Sequence, residues 1–504
     1  MVVWSWYLGI LAVVCGYHGR IVPVYGFLYT PGATFSRVKH RSWRSKVTCS
    51  KATVTARTDT AAALVTVEGT ERIEESFQRW ADQAGIKAPK LQHAVFVDPL
   101  VGDLRGLKAV EATSTSEKLV SVPAEATIAL SALESTPFNS WVSQDFWGSQ
   151  QWYVKLALKL LWERQLGAAS AVEGYVRVLP PQGSFDTLIH WTDQELDMLH
   201  YSTCAASAKR QRVAWDKVHA NLVARCPEGA GRVVTKEDLI WAMECILSRA
   251  FSGRFGGGQQ SALLGGGLAA AAVAVYAATE EPLWVLLAGL ALLQLTLPEI
   301  KTFAASVTGS KSEGGGDYVL VPFVDSMNHV TTAKTELSFS PISGDLRLSV
   351  NRGYQEGEQA YISYGLKSND ELLQFYGFVE ADCPADTYVV ENIATKLAVP
   401  ADRMSGVTDT NVRAVLQGLV IKRGPNVVDN EALEGLRLLL QADAGDGDPA
   451  IWQALKRVCE AELESMHARE DGVGGSVRER LAFAFRREKA SVLDEAIRHL
   501  DQRG

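Results

Sequence analysis

The sequence of 504 residues has few cysteines, and none of them are paired at a metal-binding spacing. Its seven cysteines are scattered without a C-x-x-C pattern, so we expect neither a zinc or other metal site nor a disulfide framework. A basic excess is also absent, because 50 basic residues stand against 58 acidic ones. This balance argues against sequence-independent binding to nucleic acid, which depends on neutralising phosphates. The thiols are expected to be free, as in a reducing compartment.

Acidic residues are missing from the first 58 positions. The apolar run from Val2 to Cys15 has the length of a signal-peptide core, and eight Lys or Arg follow between Arg20 and Arg57 among many Ser and Thr. This order resembles the bipartite signal and transit presequence of algae with secondary plastids, and it predicts a location in the plastid stroma. A plain secretory signal or an N-terminal anchor is the alternative. Without these eight basic residues, 42 basic and 58 acidic residues give a net charge of −16, which favours basic partners.

Hydrophobic spacing divides the rest of the chain into helical and strand-rich parts. Residues 72–84 have the three-and-four spacing of an amphipathic helix, and β-branched runs broken by Gly and Pro predict strands over 94–130. Residues 152–251 are predicted to be helical, with Thr192 or Asp193 as the N-cap of one helix. We expect strands again over 317–366 and helices from 387 to the end.

Two uncharged apolar runs, 263–279 and 283–297, lie between Gly-rich flanks within residues 252–316. Each is somewhat shorter than the roughly 20 residues that a helix needs to cross a bilayer. We predict a helical hairpin that attaches the protein to a plastid membrane. A soluble pair of Ala- and Leu-rich helices and a disordered insert are the alternatives.

An apolar run, VPFVDSMNHV at 321–330, ends in an amide and an imidazole side by side. It is followed by YISYGLKSNDELLQFYGFV at 361–379, and it is preceded by RGLKAV at 105–110 and SRAF at 248–251. These segments occur in the order found in SET-domain protein methyltransferases. The chain resembles most the class that contains the plastid Rubisco large-subunit methyltransferase.

This resemblance implies an α+β fold. A pseudoknotted, β-rich SET domain would span 72–380, with a helical insertion at about 150–251 and the apolar insert at about 252–316. An all-α substrate-binding domain would occupy 381–504. In this class the apolar run is a buried strand ending in Asn-His, and the tyrosine segment threads past it. No C-x-C cluster follows the last motif, so the zinc-binding tail of histone-type SET enzymes is not expected.

The resemblance also implies S-adenosylmethionine as cofactor and assigns roles to individual residues. Tyr364 is the predicted catalytic residue, whose hydroxyl would orient a neutral amine, whereas Tyr361 would be structural. The predicted cofactor-binding residues are Arg105, Gly106, Glu134, Arg249, Asn328, His329 and Tyr364. The predicted walls of the substrate channel are Arg249, Tyr376 and Phe378. A salt bridge at a helix end is the alternative role of Arg249, and core packing is that of the two aromatic residues.

The function implied is that of a protein-lysine N-methyltransferase acting on a stromal protein such as the Rubisco large subunit or a plastid aldolase. A protein-histidine N-methyltransferase of the same fold is one alternative, since the residues around the channel decide the acceptor. A non-catalytic SET scaffold that binds a plastid protein is another. The presence of Asn328, His329 and Tyr364 together favours an enzyme over a scaffold.

Overall fold

The computed structural model describes residues 74–131, 134–138, 141–253, 317–340, 343–400, 403, 407–440, 449–467 and 475–503. The predicted presequence (1–58) and both apolar runs (within 263–297) lie outside the described residues. None of the helices in the described ranges has the length and apolar character needed to span a bilayer.

The strands are short and form four sheets in the described part of the chain. They are β1 (Leu91–Asp98), β2 (Gly102–Ala109), β3 (Lys118–Pro123), β4 (Ile128–Leu130), β5 (Phe251–Gly253), β6 (Asp317–Leu320), β7 (Asn328–His329), β8 (Thr335–Ser340), β9 (Asp345–Val350), β10 (Gln359–Ile362), β11 (Thr387–Val390) and β12 (Leu419–Lys422). The strand orders are β1-β2-β10-β7, β3-β9-β8, β4-β6-β5 and β11-β12. Of these neighbours only β7 and β10 run parallel, and the other pairs are antiparallel.

Helices fill the long interval between β4 and β5 and most of the C-terminal region. They are α1 (74–83), α2 (Gln144–Ser149), α3 (Trp152–Leu166), α4 (Glu173–Val176), α5 (Asp193–Asp197), α6 (Ser202–Arg225), α7 (Ala230–Val233), α8 (Lys236–Arg249), α9 (Asn369–Tyr376), α10 (Ile393–Lys396), α11 (Thr410–Gln417), α12 (Asn430–Leu440), α13 (Pro449–His467) and α14 (Val477–Asp501). Capping boxes begin four of them, with Thr192, Thr235, Ser368 and Ser476 as N-caps.

The apolar side chains are buried in two clusters. One combines the sheets of β1 to β10 with α1, α3 and α8, and the other combines the C-terminal helices with β11 and β12. Helix α6 contributes to both, with Trp215 and Leu222 in the first cluster and Cys204 and Ala208 in the second. The C-terminal region therefore packs directly on the helical part that precedes β5. All five cysteines in the described residues are buried free thiols.

The α+β class is confirmed, and the C-terminal region is helical apart from the two-stranded sheet of β11 and β12. The expectation of a strand throughout the apolar run 321–330 is wrong, although the run is buried. Pro322 has no N–H to donate to a ladder, and Phe323 adopts a φ of 73°. A 3-10 turn then spans Val324–Ser326, so only Asn328–His329 form a strand.

Candidate active site

The parallel pairing of β7 with β10 brings the two main motifs together. Asn328 lies opposite Tyr361 and His329 opposite Ile362. On its other edge β10 pairs with β2, where Ala360 lies opposite Leu107. Segments that are more than 200 residues apart in sequence therefore meet at one place in a single sheet.

Tyr364 follows β10 and is fixed by the residues of the Asn-His motif. Its backbone N–H donates to Nδ1 of His329 at 2.9 Å, and its ring stacks on the imidazole with centroids 4.9 Å apart. Its hydroxyl donates to the carbonyl oxygen of Met327 at 2.8 Å. Since Nδ1 of His329 accepts, the ring proton belongs on Nε2, which lies 3.1 Å from Oγ1 of Thr331. Burial raises the pKa of Tyr364 to about 12, so the hydroxyl stays protonated at neutral pH.

The side chain of Asn328 contacts strand β2 at Arg105 and Gly106. Its Nδ2 donates to the carbonyl oxygen of Arg105 at 3.0 Å. A Cβ at position 106 would lie 2.7 Å from Nδ2 of Asn328 and 2.8 Å from Nε2 of Gln359, closer than side-chain packing allows. A larger residue here would therefore displace the amide groups of Asn328 and Gln359. The hydrogen bond from the Asn328 amide to Arg105 holds β7 against β2.

Arg249, the last residue of α8, binds Asp325. Its Nη1 donates to the backbone oxygen of Asp325 at 2.9 Å and lies 3.3 Å from Oδ2, which also accepts from the hydroxyl of Tyr175 at 2.8 Å. Burial raises the pKa of Asp325, and the Arg249 guanidinium opposes that shift. Within the described residues, Nε of Arg249 and Oδ1 of Asp325 are buried without a hydrogen-bond partner. These two atoms therefore have hydrogen-bonding capacity that no described residue uses.

A cavity of about 210 Å³ lies beside this ion pair. Six of its lining residues are Arg249, Phe251, Asp325, Ser363, Tyr364 and Tyr376. The ring of Tyr376 stacks on that of Tyr364 with centroids 4.9 Å apart, and Phe378 lies 6.0 Å from the ring of His329. Tyr364, Tyr376 and Arg249 thus line one cavity, whereas Phe378 is not among its lining residues and instead contacts the rings of His329 and Tyr376.

The side chains of two predicted cofactor-binding residues, Glu134 and Arg105, do not line the cavity beside Tyr364. Oε1 of Glu134 lies 2.7 Å from Nζ of Lys159, and no contact in the described part of the chain joins Glu134 to Tyr364 or Asn328. The Arg105 guanidinium donates to the carbonyl oxygen of Val178 at 2.8 Å and lines a second cavity of about 720 Å³. Only the backbone of Arg105 contacts the Asn-His motif.

Sequence reasoning missed three residues of this site. Asp325 is the one carboxylate in the apolar run 321–330, and a single charged residue among apolar ones could have indicated a site residue. Glu380 follows the last motif directly, accepts from the N–H of Thr331 at 2.8 Å and lies 3.5 Å from Nε2 of His329. Burial opposes ionisation of Glu380, but the hydrogen bonds from His329 and Thr331 outweigh it and lower its pKa to about 2. Tyr175 carries no signal in the sequence.

Solved structures resemble this arrangement over most of the chain. The SET domain of Rubisco LSMT bound to lysine and AdoHcy superposes with a TM-score of 0.53 at 18% identity, covering 86% of this chain and 91% of that one. Rubisco LSMT bound to AdoMet gives a TM-score of 0.51 at 19% identity, covering 85% and 92%. The chain has a SET-domain fold. The resemblance inferred from the motifs is thereby confirmed.

Sequence comparison relates this SET-domain protein to two methyltransferases, although no family model matches it. It is 23% identical over 386 residues to an actin-histidine N-methyltransferase of Drosophila melanogaster, covering 72% of this chain and 59% of that protein. It is 39% identical over 85 residues to the chloroplastic fructose-bisphosphate aldolase-lysine N-methyltransferase of Arabidopsis thaliana, covering 15% and 18%. The matches thus span less than two thirds of either relative.

Proposed function

We propose that this SET-domain protein is an S-adenosylmethionine-dependent protein-lysine N-methyltransferase. The proposal rests on one arrangement of residues. Tyr364 is hydrogen-bonded to His329, and Tyr364 and Arg249 line the same cavity. The similar solved structures support it, since they are bound to AdoMet or AdoHcy, and one of them also to lysine.

The polar groups at the cavity fit S-adenosylmethionine by their chemistry. The unpartnered Nε of Arg249 suits a carboxylate, and the unpartnered Oδ1 of Asp325 suits an ammonium or hydroxyl group. When bound, S-adenosylmethionine supplies a methyl group on a positively charged sulfur. The residues proposed to hold it are Arg105, Gly106, Arg249, Asn328, His329 and Tyr364. Glu134 would join them only if its carboxylate left Lys159.

Tyr364 contributes as a neutral, fixed hydroxyl. Its proton is used in the bond to the Met327 carbonyl, so its oxygen lone pairs remain available to orient an amine. Removal of a lysine side chain from water in this cavity disfavours the ammonium form, lowers the pKa of the lysine and so promotes its neutral, nucleophilic form. Holding this amine in line for transfer is the main rate contribution that the geometry offers.

The lining of the cavity favours lysine as the acceptor. Phe251, Tyr364 and Tyr376 present rings against which the aliphatic stem of a lysine can pack. Histidine is the second candidate, because the match to the actin-histidine N-methyltransferase extends over 386 residues. The two candidate reactions differ in the acceptor side chain that would enter the cavity.

Label transfer from methyl-labelled S-adenosylmethionine into plastid stromal extract tests the proposal. We expect the wild-type protein to label a lysine, identified by peptide mass spectrometry. Tyr364→Phe should abolish the labelling, and Tyr361→Phe is the matched control, because the Tyr361 hydroxyl bonds only to Gln359 in the described residues. A labelled histidine would replace the first candidate by the second. Absence of labelling by wild type would contradict both enzymes and favour the scaffold.

We further propose a plastid protein of the Rubisco large-subunit or aldolase class as the substrate, docked by a domain formed by residues 381–504 after a SET domain of 72–380. The basic, acid-free residues 20–57 and the chloroplastic relative support the plastid location. A fluorescent protein fused to residues 1–58 should enter the plastid, and its secretion would contradict this location. Membrane attachment through 263–297 stays a prediction, which release of the protein on carbonate extraction would contradict.

A further inference from the structure

Lys489, near the middle of α14, is a fully buried cation. Its side chain is 0% exposed, and its Nζ donates to Oδ1 of Asp386 and to the carbonyl oxygen of Thr387, both at 2.7 Å. It also donates to the carboxylate of Asp370. Burial disfavours the charged lysine, but the two carboxylates outweigh this effect and raise the pKa of Lys489. All three ammonium hydrogens have acceptors, so the group is held in one position.

Asp386 connects Lys489 to the start of α9 through two hydrogen bonds. Its Oδ1 accepts from the backbone N–H of Asn369 at 2.9 Å, and its Oδ2 accepts from Nδ2 of Asn369, also at 2.9 Å. Asn369 is the first residue of α9 and is 0% exposed. The same helix ends in Tyr376, which lines the cavity.

Asn369 in turn holds Glu380, which reaches the active site. Its Oδ1 accepts from the backbone N–H of Glu380 at 2.8 Å, and its Nδ2 donates to the backbone oxygen of Glu380 at 3.1 Å. The Glu380 carboxylate binds Thr331 and lies 3.5 Å from Nε2 of His329. The other ring nitrogen of His329 accepts from the backbone of Tyr364.

We propose that Lys489 is a positioning residue for Tyr364, an inference that rests on the function proposed above. Four residues connect the two: Asp386, Asn369, Glu380 and His329. Each link uses a buried or half-buried polar group with a defined partner, so the links leave little rotational freedom. Since α14 belongs to the C-terminal region, the packing of that region sets the orientation of the tyrosine at the cavity.

The amide resonance of Tyr364 provides a direct test. The full chain is labelled with ¹⁵N-tyrosine, and the Tyr364 signal is assigned as the one that Tyr364→Phe removes. In Lys489→Met we expect this signal to move upfield or to broaden, because the hydrogen bond to His329 weakens. The matched control is Arg478→Met, which removes another α14 cation from two carboxylates, those of Asp186 and Glu195. The control should leave the Tyr364 signal in place.

An unmoved Tyr364 signal in folded Lys489→Met, or an equal movement in both variants, would overturn the proposal. Should Lys489→Met fail to fold, Asp386→Asn replaces it, because an NH2 group in place of Oδ2 cannot accept the hydrogen bond from Nδ2 of Asn369, while Asp370 still pairs with the lysine. Its Tyr364 signal must then move, and an unmoved signal overturns the inference. The measurement needs no methyl transfer, so a wild-type protein that labels no substrate would refute the proposed function separately.

Discussion

Two buried ion pairs in the described part of the chain, Lys489–Asp386 and Arg249–Asp325, differ in how fully their polar atoms are used. Lys489 and Asp386 lie where the C-terminal region meets α9, and every hydrogen of the ammonium has an acceptor. Arg249 and Asp325 lie beside the cavity, and each keeps a buried atom without a partner in the described residues. Buried polar groups are normally satisfied, so the satisfied pair fits a fixed joint, and the open pair, which also lines the cavity, is the one proposed to bind S-adenosylmethionine.

The largest effect is expected from breaking the satisfied pair. Lys489→Met would leave Asp386 buried without its cation, a change that typically costs about 3–5 kcal/mol of folding free energy. Urea unfolding of wild type and variant measures this loss. Lys422→Met, at a half-exposed ion pair with Asp429, is the control and should cost about 0–1 kcal/mol. Equal losses in the two variants would contradict the buried role of Lys489.

Breaking the open pair should affect ligand binding more than stability. Arg249→Met removes the unpartnered Nε, and loss of one charged hydrogen bond of about 1.5–3 kcal/mol weakens S-adenosylmethionine binding by about 10- to 100-fold. Because the Arg249 side chain is 22% exposed whereas that of Lys489 is 0% exposed, the unfolding free energy should fall by less than in Lys489→Met. Calorimetric titration measures the affinity. An unchanged Kd would remove Arg249 from the proposed site.

Gly106→Ala should disturb the contact that Asn328 makes with strand β2. The added methyl would lie 2.7 Å from Nδ2 of Asn328, so the amide must move, at a cost of about 1–3 kcal/mol. Thermal unfolding measures this loss. Gly148→Ala is the matched control, because its Cβ would meet no described atom within 4 Å, and its stability should be unchanged or slightly higher. Equal melting temperatures of the two variants would contradict the close approach of the Asn328 amide to position 106.

The smallest effect is expected from a change of pH, through Glu380, the residue that connects the Lys489–Asp386 pair to His329. Its folded-state pKa of about 2 lies below the ordinary value of 4.5, so its ionised form stabilises the fold above about pH 4.5. This contribution is lost as the pH falls toward 2. The difference in unfolding free energy between wild type and Glu380→Gln should therefore shrink over that window in a series of urea titrations. A difference independent of pH would contradict the lowered pKa.

The motifs predicted the SET-domain fold, because Asn328, His329 and Tyr364 lie in short segments of distinctive sequence. The site residues were predicted from the same resemblance. The path of the backbone was harder to predict, since the apolar run suggested a strand where Pro322 and Phe323 instead form a turn. The joint around Lys489 gave no local signal. Its partner Asp386 is 103 residues away, and only tertiary packing brings the two together.

The decisive measurement is the rate of methyl transfer by Tyr364→Phe at saturating S-adenosylmethionine, where a change in cofactor affinity does not affect the rate. We expect a loss of at least about 100-fold, comparable with the removal of one preorganised polar group at an active site. Tyr361→Phe should keep the wild-type rate. A wild-type rate in Tyr364→Phe would contradict the account.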